Sequence, residues 1–203
     1  MESHKSAFLT FDDGPSPFTP AILDILKQYQ APATFFMCGK NIERYPETAK
    51  RVKQEGHAVG NHAYSHIFWK TVTGYGMAQE INKTDKIIKN TIGETPTLFR
   101  APWGIVNPRS KLTAQQLHYE IYQWNISALD WLQPVITYGY MRKRVLSHTR
   151  PGAILLFHDG HGTYRHMIRK KTVALVAELI PYLQKEGYTF RLLPEKENLI
   201  PDL

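Results

Sequence analysis

The sequence has little cysteine and no long apolar run, and each shortage excludes a class of protein. A single cysteine, Cys38, among 203 residues excludes an intramolecular disulfide and a zinc site built from several cysteines. No apolar stretch is long enough to predict a membrane-spanning helix. The opening residues MESHKSAF lack the apolar core of a signal peptide. Two interpretations stay open: a cytoplasmic location, or a leader that this sequence does not include.

Acidic residues are fewer than basic ones, and this balance bears on the choice of partner. The chain has 25 Lys and Arg against 18 Asp and Glu, a formal net charge of +7. Such an excess attracts acidic polymers, although it serves solubility equally well. No long basic run with interleaved aromatic residues is present, and RKK at 169–171 is short. Nucleic acid is therefore the least favoured partner, and none is expected.

Short apolar segments alternate with longer amphipathic ones along the whole chain, without a repeat or a linker. The apolar runs predict strands at 7–11, 33–37, 57–62, 97–102, 121–126, 153–159 and 188–193. The amphipathic runs predict helices at 19–30, 46–56, 76–93, 112–120, 138–149 and 171–187. This alternation predicts one α/β domain over residues 1–203, with a mostly parallel sheet of about seven strands that could close into a barrel.

Polar residues recur where the predicted strands end. They are Asp12 and Asp13, His62 and His66, Arg100, Asp130, and His158 with Asp159. The loops that leave the carboxyl ends of parallel strands converge on one face, where ligands bind. These side chains are therefore predicted to meet in space, whereas side chains that serve solubility alone would lie on helix surfaces.

Adjacent carboxylates repel each other, so Asp12 and Asp13 predict a nearby cation. Neutral imidazoles are frequent partners of carboxylates around a divalent ion, and His62 and His66 are four residues apart. One aspartate and two histidines would leave a position for water, the pattern of catalytic zinc. Taken alone, two histidines at this spacing are more often solvated residues; the coupling to the aspartate pair favours a metal site.

The remaining polar residues fit acid–base chemistry, with a structural alternative for each. One aspartate of the pair is free to act as a general base toward water, and Arg100 could orient it through an ion pair. His158 could act as a general acid beside Asp130. The alternatives are a purely structural salt bridge for Arg100 and an ordinary buried histidine for His158.

Five ordered motifs resemble those of one known family. They are TFDDGP (10–15), HAYSH (62–66), RAPWG (100–104), LDW (129–131) and LFHD (156–159). Their order and spacing are similar to those of the polysaccharide deacetylases, also called carbohydrate esterase family 4 or the NodB homology domain. The resemblance covers about residues 7–193 and implies a distorted (β/α) barrel. It also implies hydrolysis of N-acetyl groups on N-acetylglucosamine polymers such as peptidoglycan or chitin, with release of acetate.

The resemblance assigns roles to the polar residues. It implies that Asp13, His62 and His66 bind one divalent metal ion, usually zinc, with cobalt or another ion as alternatives. It implies that Asp12 is the catalytic base, positioned by Arg100. It further implies that His158 is the catalytic acid, tuned by Asp130. Pro102 and Trp103 would line the substrate groove, and Trp131 and Leu156 would form the wall of the pocket for the acetyl methyl group. Trp103, Trp131 and Tyr64 could stack on sugar faces.

The resemblance also implies a setting and leaves alternatives. We expect a monomer that acts on an N-acetylated glycan, secreted or associated with the cell wall. The alternatives are an amidase or esterase for another acylated substrate, such as acetylxylan, and a binding module whose catalysis has decayed. Two departures from the family pattern stand out. Ala63 occupies a position that usually carries Ser or Thr, and His161 and His166 follow the last motif, where extra histidines are more often incidental.

Overall fold

The computed structural model describes residues 5–133, 135–162 and 168–193, which form a single α/β domain. The strands in this part of the chain are β1 (Lys5–Asp12), β2 (Ala33–Met37), β3 (Ala58–Asn61), β4 (Leu98–Phe99), β5 (Glu120–Ile121), β6 (Ile126–Ser127), β7 (Ala153–His158) and β8 (Tyr188–Phe190). The helices are α1 (Thr19–Gln28), α2 (Gly39–Arg44), α3 (Pro46–Gln54), α4 (Phe68–Thr73), α5 (Met77–Ile92), α6 (Pro108–Gln116), α7 (Tyr138–His148) and α8 (Lys170–Lys185).

The strands form one curled sheet with β1 at its centre. Their order is β5-β4-β3-β2-β1-β7-β6, and β8 pairs with the start of β1. Every ladder is parallel, so crossover connections return the chain to the same end of the sheet each time. This arrangement confirms the predicted distorted (β/α) barrel of about seven strands. None of the described helices combines the length and apolar character that a membrane span requires.

Strand β1 is buried on both faces, and its alternation separates two environments. Leu9 and Phe11 pack into the main core, which includes residues of α1 and α8; the ring of Phe11 stacks on that of Phe35 at 4.9 Å. Phe8 belongs to a smaller cluster built from strand and loop residues. Because side chains alternate along a strand, Thr10 and Asp12 share the face of Phe8, inside the curl of the sheet.

The predicted strand IYQWNI (121–126) is the main error in the sequence-based fold. It divides into β5 and β6, which lie at opposite edges of the sheet. Residues 122–125 therefore cross from one edge to the other. A continuous run of β-forming residues cannot reveal that its two ends pair with different strands, β5 with β4 and β6 with β7.

Smaller differences concern short elements and helix ends. Helices α2 and α4 were not predicted, because six residues are too few to display a helical period. Helix α6 begins at Pro108, four residues before its predicted start. The reason is a capping box: the Asn107 side chain accepts the Ser110 N–H, and the Ser110 hydroxyl bonds back to Asn107.

Candidate active site

The polar motifs meet at the carboxyl ends of the strands, on backbone of unusual conformation. Five residues at or beside them have a positive φ: Asp13, Ala63, His66, Trp103 and Leu129. L-residues in this left-handed region cost about 1–2 kcal/mol each. Strained backbone of this kind is concentrated at functional sites. Here it turns the chain sharply after β1, β3, β4 and β6, which directs these loops toward one another.

Asp12 and Arg100 form a buried ion pair inside the sheet. The Arg100 guanidinium is fully buried, and its Nη1 donates to Asp12 Oδ1 and to Thr10 Oγ1, each at 2.8 Å. Its other nitrogens donate to the main-chain oxygens of Tyr122 and Gln123, both at 3.2 Å. Burial lowers the pKa of Arg100, and Asp12 opposes that effect. These contacts fix the orientation of the Asp12 carboxylate.

Asp13, His62 and His66 bring three metal-ligating atoms together. All three side chains are buried, and their ligand atoms lie within 4.8 Å of one another. Asp13 Oδ1 is 3.1 Å from His66 Nε2 and 3.5 Å from His62 Nε2. His62 Nδ1 is 2.7 Å from the Arg100 carbonyl oxygen, which requires a proton on Nδ1 and leaves Nε2 free to ligate.

The chemistry of this donor set fits a divalent cation. Asp13 Oδ1 is buried and receives no hydrogen bond from the residues that the structure describes. Burial alone would raise the pKa of Asp13, but the neighbouring histidines outweigh it and hold that pKa well below its usual range. Burial lowers the pKa of His66, which favours the neutral imidazole that a metal needs. These three residues could therefore hold a metal ion.

His158, at the end of β7 and 13% exposed, and the buried Asp130, in the turn after β6, form a second pair. In the β1–β7 ladder His158 lies directly opposite Asp12. His158 Nδ1 is 2.7 Å from Asp130 Oδ1, and the His158 main-chain N–H donates to Asp130 Oδ2 at 2.7 Å. Burial works against a charge on His158, but Asp130 outweighs it, so the pKa of His158 is raised above its ordinary value. Burial likewise would raise the pKa of Asp130, and His158 reverses the effect.

Sequence reasoning missed the residues that support the second pair. Thr172 donates its hydroxyl to Asp130 Oδ2 at 2.8 Å, and Gln133 donates to Thr172 at 2.7 Å. The buried Arg169 donates to the main-chain oxygens of Asp130 and Gly160, at 3.0 and 2.8 Å. Arg169 and Thr172 lie at the start of α8, where a basic residue and a hydroxyl look like ordinary helix-end residues; the sequence carries no signal that would have identified them.

One cavity of about 390 Å³ is lined by the triad and by one member of each pair, Asp12 and His158. Its lining comprises Asp12, Asp13, His62, His66, Trp103, Gly104, Trp124, Trp131, Leu156, His158, His161, Gly162 and Arg169. Three of the predicted substrate-binding residues, Trp103, Trp131 and Leu156, are among them. Gly104 has a positive φ, and a Cβ there would lie 2.6 Å from the Trp124 ring, so glycine is needed for Trp124 to reach the cavity.

Two other predicted substrate-binding residues lie elsewhere. Pro102 is buried beneath the surface and is not part of the cavity lining. Tyr64 also lies outside the lining: its hydroxyl donates to Glu43 at 2.8 Å, and Lys83 Nζ is 3.4 Å from its ring centroid. Glu43 and Lys83 thus contact the Tyr64 side chain, and its stacking on a sugar stays a prediction.

The two departures from the family pattern have different outcomes. Ala63 is buried in a cluster with Met77, Ile81 and Phe99, and its N–H is held by the Asn61 side chain at 2.8 Å. The loop that carries the histidines is thus anchored without a hydroxyl at position 63. His161 lines the cavity, whereas His166 lies outside the described residues.

Three residues that could hold a metal ion lie beside a held carboxylate and a held imidazole, at the carboxyl ends of parallel strands. This arrangement is suited to a hydrolase. Comparison with known proteins gives the family. The family model described as polysaccharide deacetylase matches residues 2–122. The chain belongs to the polysaccharide deacetylase family.

Individual relatives agree with this assignment over nearly the whole chain. A peptidoglycan-N-acetylglucosamine deacetylase of Bacillus cereus is 35% identical over 95% of this chain and 88% of that protein. A chitooligosaccharide deacetylase of a Bradyrhizobium strain is 35% identical over 94% of this chain and 90% of its own length. The crystal structure of a polysaccharide deacetylase from Bacillus cereus is 32% identical, with a TM-score of 0.83, covering 94% of this chain and 93% of that one.

Proposed function

We propose that this protein is a metal-dependent deacetylase that removes the N-acetyl group from N-acetylglucosamine units of a glycan. The observation that carries the proposal is the convergence of the Asp13–His62–His66 triad, the Arg100-held carboxylate and the Asp130-held imidazole on one cavity. The names of the relatives, peptidoglycan and chitooligosaccharide deacetylases, support the same chemistry.

The first half of the reaction needs a base next to the metal site. Asp13, His62 and His66 would hold the ion, which supplies Lewis acidity: it lowers the pKa of water and polarises the acetamide carbonyl. Asp12 accepts the proton that water loses as its oxygen adds to the carbonyl carbon. Arg100 holds the Asp12 carboxylate at this position through the 2.8 Å contact. The Trp103 N–H is proposed to donate to the oxyanion.

The second half needs an acid on the other side of the cavity. As the carbon–nitrogen bond breaks, the sugar nitrogen takes a proton from His158, so that the amine and acetate leave. Asp130 supports this role because it keeps His158 protonated to higher pH. The β1–β7 register, with Asp12 opposite His158, supports an arrangement in which base and acid address the same bond.

The finer assignments are part of the proposal. Zinc is the proposed ion, because one carboxylate and two imidazoles with an open position suit it best, although cobalt has the same preferences. Trp103 and Trp131, which are 43% and 46% exposed at the cavity, are proposed to contact the sugar, and Leu156 the acetyl methyl group. We propose a monomer that is secreted or associated with the cell wall, where such glycans occur.

The decisive experiment measures acetate released from N-acetylglucosamine oligomers, peptidoglycan, acetylxylan and simple acetamides. We expect release from one of the N-acetylated glycans, loss of release after chelation, and recovery on adding zinc. Release only from acetylxylan or from simple amides would replace the proposal with the alternative substrate class. Binding of the oligomers without release, at saturating zinc, would indicate a binding module instead.

A further inference from the structure

Exposed apolar side chains are concentrated in one segment beside the cavity. Residues 67–75, which include α4, carry five of them, although α4 itself has only six residues. They are Ile67, Phe68, Trp69, Val72 and Tyr75, with Trp69 70% and Tyr75 78% exposed. Exposed aromatic rings do not stabilise so short a helix, because contact between apolar area and water is unfavourable. Contiguous exposed patches of this kind mark binding surfaces.

The aromatic rings of this segment continue the wall of the cavity. The centroid of Trp103, which lines the cavity, is 5.0 Å from that of His66. On its other side Trp103 meets Phe68 edge-to-face at 5.5 Å, and Phe68 meets Trp69 at 5.5 Å. A row of rings therefore runs from the metal-ligating histidine to the exposed surface of α4 without interruption.

The position of this row is fixed relative to the triad. The buried carboxylate of Glu80 accepts hydrogen bonds from the Ser65 N–H at 2.7 Å and from Lys70 Nζ at 2.6 Å. It thus ties α4 to the loop that carries His62 and His66. Asn107 donates its side-chain N–H to the Thr71 carbonyl oxygen, which fastens α4 to the start of α6. A ligand on α4 would therefore lie in a defined place relative to the reacting group.

The volume of the cavity indicates that a bound glycan polymer extends beyond its rim. At about 390 Å³ it lies near the lower end of the range for small-molecule sites, and it therefore suits one sugar unit better than several. A polymer bound there must leave the cavity across its rim. The apolar C–H face of a pyranose packs favourably on an aromatic ring, and the α4 row offers such rings next to Trp103.

We propose that Phe68 and Trp69 form a flanking sugar subsite, which binds the glycan unit next to the one that is deacetylated. This inference rests on the proposed function and adds the substrate class: chains long enough to reach α4 are preferred to short ones. A glycan is favoured over a second protein copy because the rings are continuous with the cavity that takes the reacting sugar. It is favoured over a lipid surface because Lys70 and Thr73 interrupt the apolar residues.

The test compares kcat/KM for acetate release from the N-acetylglucosamine monosaccharide and from its hexasaccharide. We expect Trp69→Ala to lower kcat/KM on the hexasaccharide about tenfold, mainly through KM, because one stacking contact is lost. On the monosaccharide it changes kcat/KM less than about twofold, since that substrate has no unit that reaches α4. Trp69→Tyr retains most of the preference. The matched control is Tyr182→Ala on α8, another exposed aromatic side chain (42%), which leaves both substrates unaffected.

A binding measurement separates this inference from the proposed function. Hexasaccharide affinity is measured by calorimetry for the parent protein, Trp69→Ala and Tyr182→Ala. If no protein releases acetate but Trp69→Ala alone weakens hexasaccharide binding, the deacetylase proposal fails and the subsite stands. An equal loss of kcat/KM on the monosaccharide and the hexasaccharide overturns the subsite. So does unaltered hexasaccharide binding in Trp69→Ala, or a parent dimer that this variant dissociates in sedimentation, which would make α4 a contact between copies.

Discussion

The two sides of the cavity carry buried ion pairs that look alike and behave differently. Arg100 Nη1 is 2.8 Å from Asp12 Oδ1, and His158 Nδ1 is 2.7 Å from Asp130 Oδ1. All four side chains are buried or nearly so. The cations differ, however. A guanidinium keeps its charge at any pH at which the protein folds, whereas an imidazole loses its charge near neutrality.

This difference supports the proposed division of acid–base roles. On the first side the permanent charge of Arg100 holds the Asp12 carboxylate, the proposed proton acceptor. On the second side Asp130 raises the pKa of His158, the proposed proton donor. Each carboxylate has one such partner beside it, and Asp130 also accepts hydrogen bonds from the His158 main-chain N–H and the Thr172 hydroxyl. The proposed role of each pair depends on which of its two partners can release a proton.

The largest effect is expected from removing the acceptor on the first side. Asp12→Asn preserves the shape of the side chain but cannot accept a proton, so we expect kcat/KM to fall by about 10²–10⁴. Bound zinc, measured by elemental analysis, stays at the parent level because Asp13 and the histidines are intact. Parent-level turnover in this variant would show that another group is the base.

The next largest effect tests whether burial makes the Asp12–Arg100 ion pair important for stability. Arg100→Met leaves a buried carboxylate without its cation, and we expect the free energy of unfolding to fall by about 3–5 kcal/mol. The matched control is Arg51→Met. Arg51 contacts Asp24 and Glu55, each at 2.6 Å, but near the surface, so its loss costs about 1 kcal/mol or less. Equal costs in urea unfolding would contradict the distinction between the two arginines.

The His158–Asp130 pair is tested by the pH dependence of activity. The pKa of His158 is raised above its ordinary value of 6.5, so the acid form, and with it activity, is present at low pH and lost as pH rises through that raised pKa. Asp130→Asn removes the charge and leaves burial, which lowers the pKa. The alkaline limb of the pH–kcat profile therefore moves to lower pH. Asp24→Asn, at an exposed carboxylate, leaves the limb in place; an unmoved limb in Asp130→Asn would remove Asp130 from this role.

The smallest effect concerns the departure at position 63. Ala63→Ser restores the residue type that is usual in the family, but places a hydroxyl among Met77, Ile81 and Phe99. We expect the free energy of unfolding to fall by about 1 kcal/mol with unchanged zinc affinity, since His62 is already held by the Arg100 carbonyl. Tighter zinc binding in calorimetry would show instead that the loop carrying His62 and His66 lacks a stabilising contact in the parent protein.

The long elements were predictable from the sequence, and the short ones were not. Strands β1, β2 and β7 are five to eight residues long and mostly apolar. Helix α5 is capped by Gly93, which has a positive φ, as its sequence predicts. Strands β5 and β6 have two residues each. Their pairing depends on contacts with β4 and β7, which lie far away along the chain.

The site was predictable where it depends on residue type, and less so where it depends on backbone shape. The metal-ligating triad and both ion pairs follow from motifs at strand ends. The positive φ of Asp13, His66 and Trp103 does not, because these residue types seldom adopt it and tertiary contacts impose it. Arg169 was missed for a related reason: it supports the site through main-chain oxygens, and such contacts leave no complementary residue in the sequence.

The crossing between β5 and β6 has a consequence for variation among related chains. Arg100 contacts this crossing segment by donating to the main-chain oxygens of Tyr122 and Gln123. These two contacts depend on the backbone conformation and not on the side chains at those positions. Substitutions at the exposed Gln123 can therefore alter the outer surface while the guanidinium keeps its main-chain acceptors. Changes of side chain in this crossing segment can therefore alter specificity with little effect on the neighbouring Asp12–Arg100 pair.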